Sequence, residues 1–126
     1  MKKLYFIGAI LMSGFIFSQE KTKETYLITE QIAEFPEGGA TKFRQLIVDN
    51  FREKKVKGQG KEFCELGFVI ERDGSISNIK ATGTNDSFNK EAIRAISKIK
   101  TKWIPAKINN EVVRYRFRLP LNLTFD

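Results

Sequence analysis

Between Val112 and Phe125 every odd position is apolar: Val113, Tyr115, Phe117, Leu119, Leu121, Leu123 and Phe125. Arg114, Arg116, Arg118, Asn122 and Thr124 stand among the even positions. A period of two held over about fourteen residues is a strong strand signal, because ordinary strands run ~5–6 residues. Such a strand covers a core with one face and presents a row of guanidinium groups on the other. Pro120 removes one backbone donor from the row, which an edge strand tolerates and a central strand tolerates badly. The segment is therefore expected at a sheet edge, where unpaired N–H and C=O groups either aggregate or receive another strand. A docking edge is the expectation.

Upstream, Tyr26 to Phe35 reads as an extended segment ended by Pro36 and Gly38-Gly39. Ala40, Phe43, Leu46, Ile47 and Phe51 are spaced by three and four, which predicts a helix over Ala40–Arg52. Glu53 to Lys61, rich in lysine and broken by Gly58 and Gly60, reads as a loop. Cys64, Leu66, Phe68 and Ile70 then alternate within Glu62–Glu71, and Asp73-Gly74 turns the chain into a return strand, Ile76–Thr82. The parity change between Ile76 and Ile79 predicts a bulge. A second helix is expected from Ser87 to Lys102, capped by Asp86 or Ser87. Lys98, Lys100 and Lys102 would then sit at its carbonyl end and Pro105 would stop it. Asn109-Asn110 turns into the final strand. The resulting fold class is α+β: two helices packed on one face of a small antiparallel sheet made of the hairpin and the long C-terminal edge strand.

Lys2 and Lys3, an apolar run from Leu4 to Phe17 and the small residue Ser18 describe a secretory signal peptide over residues 1–18. Ile16 and Ser18 suit the two selective positions before a cut ahead of Gln19. The run is shorter than the ~20 apolar residues a spanning helix wants. A periplasmic protein is expected, with an uncleaved inner-membrane anchor as the alternative. Residues 19–34 form an N-terminal tether or short strand, and residues 35–126 form the domain. Eleven Phe residues argue for a real core. Net charge is +7, which favours anionic partners without naming one.

The chemistry available is limited. There is no histidine, hence neither the commonest general base nor the commonest metal ligand. Cys64, the lone cysteine, has no thiol partner and reads as a small buried residue. Glu62, Glu65 and Glu71 read as a solvated strand face. Gly58-x-Gly60-Lys61 has the wrong spacing for a phosphate loop. A non-enzymatic protein is expected, with no cofactor, no metal and no small-molecule substrate. Nucleic acid is not an expected partner either, because Tyr115 and Phe117 are needed on the face opposite the arginines and are not free to stack on bases.

Several of these residues, taken in order, resemble the C-terminal domain of TonB, the energy transducer of bacterial outer-membrane uptake. They are Phe35-Pro36, Gly67-Phe68-Val69-Ile70, Asp73-Gly74-Ser75-Ile76, Ile79, the helix carrying Ala92 to Ile96, Trp103-Ile104-Pro105-Ala106, and Val113-x-Tyr115-x-Phe117-x-Leu119-Pro120-Leu121 through Phe125. The resemblance implies a module that captures an N-terminal segment of a TonB-dependent outer-membrane transporter by strand addition. Its receiving backbone would be that of Val112, Val113, Arg114, Tyr115, Arg116, Phe117, Arg118 and Leu119. Full-length transducers also carry a spanning helix with a histidine and a proline-rich spacer. This chain has no histidine and only three prolines, so a stand-alone form of the domain is expected. Two alternatives follow: an abbreviated, membrane-anchored transducer, or a self-associating envelope protein that forms a homodimer through the same edge.

Overall fold

Alternation and helical spacing resolve into strands β1 (Lys3–Phe6), β2 (Leu11–Ile16) and β3 (Glu30–Gln31), then helix α1 (Gly39–Asn50). Strands β4 (Lys61–Ile70) and β5 (Ile76–Thr82), helix α2 (Asp86–Ser97), and strands β6 (Ala106–Ile108) and β7 (Glu111–Thr124) follow. The computed structural model describes residues 3–6, 11–16 and 30–125. The expected cut after Ser18, the tether and the start of the first extended segment lie outside the described residues.

Pairing follows the path β3-β6-β7-β4-β5, with β1 and β2 also paired to β7, and all of it is antiparallel. Cys64, Leu66, Phe68 and Ile70 of β4 and the odd residues of β7 from Tyr115 to Leu123 are buried on one face. Phe43 and Ile47 of α1 and Phe88, Ala92, Ala95 and Ile96 of α2 join them in one core. This is the α+β class that the alternation predicts.

The aromatic centre of that core explains why widely separated motifs occur together. Trp103 lies 4.9 Å from Phe43, 5.0 Å from Phe117 and 5.4 Å from Phe35, measured between ring centroids. The Trp103 backbone N–H donates to Gly74 O at 2.8 Å. Gly74 has φ +88°, and a Cβ there would fall 2.2 Å from Trp103 O. The hairpin tip is thus seated on the backbone of the tryptophan segment, a position that only glycine fills. One residue further on, Ile104 exchanges two hydrogen bonds with Glu34, N–H to O at 2.8 and 2.9 Å.

Three local expectations need correction. The cap of α2 is Asn85, whose Oδ1 accepts the Phe88 N–H at 3.1 Å. Its amide also donates to Lys57 O at 2.7 Å, a second bond that favours it over Asp86 or Ser87. The same helix ends at Ser97, so Lys98 caps it while Lys100 and Lys102 lie beyond. The chain leaves the helical path early because Ile99 and Trp103 are buried and Trp103 must meet Gly74. The bulge lies where the parity change predicts, with Asn78 at φ 50° on β5, opposite Phe68.

The third correction concerns β7, which is not a bare edge in the full chain. β4 covers one side of it and β6, β2 and β1 share the other. Period-two alternation sets which face a residue occupies and says nothing about how many neighbours a strand has. The apolar run read as a leader is also rich in residues that fit a strand.

Candidate functional site

Strand β7 pairs with β4 without interruption from Tyr115↔Ile70 to Thr124↔Lys61. Successive residues of an antiparallel strand turn their N–H and C=O to alternate sides. Phe125 N–H donates to Gly60 O at 2.7 Å, one step past the Thr124↔Lys61 pair. The odd residues therefore bond to β4, and Arg114, Arg116, Arg118 and Pro120 turn their backbone outward.

That outer side is occupied in three pieces. β6 takes Val112 and Val113 through Lys107 and Ala106. β2 takes Arg114 to Arg118, running from Ile16↔Arg114 to Leu11↔Arg118. β1 takes Leu121 to Thr124, from Phe6↔Leu121 to Lys3↔Thr124. Leu119 and Pro120 fall in the gap between the last two, where Pro120 offers the ladder a carbonyl but no N–H. Leu4, opposite Leu123, packs against the core. Of the eight residues expected to receive a partner strand, Val112 and Val113 are therefore closed by the domain itself. Arg114 to Arg118 are closed by β2.

The side chains divide by parity. Tyr115, Phe117 and Leu119 are buried, and burial, with the Glu30 charge behind it, pushes the Tyr115 phenol above its ordinary value. Arg114 donates to Glu71 through Nε at 2.9 Å and Nη2 at 3.2 Å. The Arg114 hydrogen bond, joined by one from the Ser77 hydroxyl, holds the Glu71 carboxyl below the usual range. Arg114 is thereby a strut between β7 and the hairpin. Arg116 and Arg118 are exposed.

Glutamates expected to be solvated have separate fates. Glu71 is tied to Arg114 and Ser77, while Glu65 lines a groove on the open face of the sheet. Cys64 is buried, and desolvation, with the Glu65 charge adding to it, pushes its thiol up to about 12. Gly60 lends its carbonyl to the end of β7. Among the described residues no group of three or more Cys, Asp or Glu is placed to hold a metal ion. Among them, too, no helix is long and apolar enough to cross a membrane.

Sequence reasoning missed Gly67, Lys80 and Glu65 as a group. The signal available was a glycine in the middle of an otherwise well-formed strand.

A family model described as the C-terminal domain of the Gram-negative bacterial TonB protein matches residues 52–125. No curated protein and no solved structure matches the chain.

Proposed function

This chain belongs to the family of Gram-negative bacterial TonB protein C-terminal domains, and we propose from that premise that it is a non-enzymatic periplasmic module that captures a transporter segment by strand addition on β7. The family ties it to transport energy coupling at the cell envelope and to TonB-dependent outer-membrane proteins. One observation carries the finer reading. The outward backbone from Arg114 to Thr124 accepts extended strands, since it already accepts β2 and β1. The other strand borders are poorer. β3 is two residues long, and β5 is kinked by Asn78 and carries Lys80, both of which discourage pairing.

The occupant of the edge is the segment expected to be removed as a signal peptide. A leader threaded through the export machinery cannot lie on β7, and a leader cut before Gln19 never returns to it. An uncleaved anchor lodged in a bilayer would bare the same edge. In each case the backbone of Arg114 to Leu119 becomes the receiving one. Its hydrogen bonds, at ~0.5–1.5 kcal/mol net apiece, suit a reversible grip.

Titration of a synthetic peptide from a transporter N-terminus tests this. Residues 19–126 should bind it at least ten-fold more tightly than the full chain. Arg116→Pro removes an outward donor and should abolish capture; equal affinity in the variant would refute the edge. Mass spectrometry of exported protein separates the two N-terminal readings, since a mature terminus at Gln19 excludes an anchor.

A further inference from the structure

We propose that the open face of the sheet carries a carboxylate-binding groove centred on Gly67, which takes an acidic side chain of an extended polypeptide partner. The groove has a volume of about 420 Å³ and crosses β5, β4 and β7. Lys80 forms one wall, Arg116 and Arg118 the other, and Gly67 and Val69 the floor, with Glu65 as the lone carboxylate. Among the described residues neither Lys80 nor Arg118 enters an ion pair. The neighbouring Arg114 is different, because Glu71 holds it 2.9 Å away. Lys80 and Arg118 alone set two cations against the one carboxylate, which leaves the groove net positive, and an acidic side chain complements it.

Gly67 has no backbone reason to be glycine. Its φ lies outside the left-handed region, and the residue with positive φ at this bulge is Asn78 on the opposing strand. Packing supplies no reason either: among the described residues a Cβ on Gly67 would meet Phe117 O alone, at 3.9 Å, an ordinary contact. A glycine inside a strand costs stability relative to a residue with a side chain. What it provides here is the hollow itself. Any larger residue at position 67 would project into the space between Lys80 and Arg118.

The partner's being a polypeptide rests on the strand-capture reading; the groove's selectivity for carboxylate does not. Because β1 and β2 close the β7 edge in the full chain, the full chain reports the groove separately. The probe is a capped, fluorescent octapeptide of alternating alanine and aspartate, set against its alanine–asparagine analogue by anisotropy. The aspartate peptide should bind the full chain at least ten-fold more tightly than the asparagine peptide and should weaken in high salt. Gly67→Val should lose binding at least ten-fold while its melting temperature holds or rises. Lys80→Glu with Arg118→Glu should lose it as well, and serves as the deciding variant if Gly67→Val unfolds. Equal binding of the two peptides, or wild-type affinity in the charge-reversed variant, would overturn the groove. Transporter-peptide capture by residues 19–126 is scored in parallel. Its survival after such a result would leave the edge standing, and its loss alone would strike only the edge.

Discussion

Glu91 shows what a buried charge does in a domain of this size. It is 3% exposed, and it accepts from Arg94 Nη2 at 2.8 Å, from Arg52 Nη2 at 3.0 Å and from the Arg52 N–H at 2.8 Å. Burial alone would raise its pKa; the hydrogen bonds from Arg94 and then Arg52 outweigh it and bring the carboxyl down to about 2 from 4.5. These bonds clamp the chain after α1 onto α2. A carboxyl with a depressed native pKa stabilises the fold fully above its unfolded value and loses that contribution as pH falls towards its folded one. Thermal melts should therefore show this contribution intact above pH about 4.5 and draining away between about 4.5 and 2. Glu91→Gln should flatten that slope and cost about 1–2 kcal/mol at neutral pH by urea unfolding, because Arg52 and Arg94 lose charge-assisted bonds but keep their access to water. A variant whose melts keep the whole wild-type acid slope would refute the assignment, since Glu71, held low by Arg114, supplies only part of it. Nothing in the sequence marked Glu91, since a glutamate within an amphipathic helix reads as surface. The Gly74–Trp103 seat was half legible: the turn glycine was evident from Asp73-Gly74, but its contact partner lay 29 positions away and no local pattern reports that.

Elements were more legible than their neighbours. The period of two in β7 and in β4, and the three-and-four spacing in both helices, come from side chains choosing one face, and the core confirms each. Helix ends were less legible, because tertiary demands decide them. Asn85 outcompetes Asp86 as cap through its second bond to Lys57, and α2 stops at Ser97 so that Trp103 reaches the hairpin. The second neighbour of β7 left a trace that pointed the other way. Pro120 marked a strand with a free side, and its missing donor does face that side, at the gap between β1 and β2. Hydrogen exchange measures the state of that side directly. In the full chain the outward amides of Arg114, Arg116 and Arg118 should be protected by β2. In residues 19–126 they should exchange at least ten-fold faster, while those of Tyr115, Phe117 and Leu119, bonded to β4, should not change. Uniform acceleration of all six would mean that the domain had loosened and the edge had not simply opened.

At the scale of the whole molecule, an edge as long as β7 is an aggregation hazard unless something covers it. Strands β1 and β2 cover it in the full chain, and under the proposed function a transporter segment would cover it once the leader is removed. Between those states the edge would be bare, and surface charge is the feature expected to keep copies apart. Arg116 and Arg118 stand exposed along the strand, so two copies meeting edge to edge would bring like charges together. Salt screens that repulsion. Light scattering should accordingly find the full chain monomeric at every concentration and ionic strength. Residues 19–126 should stay monomeric at low salt, dimerise with rising concentration at high salt, and return to monomer when the transporter peptide is added. Arg116→Ser with Arg118→Ser should dimerise without added salt. If the processed chain stayed monomeric in all of these conditions while its outward amides exchanged freely, charge repulsion would not be what keeps the bare edge single, and some other feature of β7 would have to protect it.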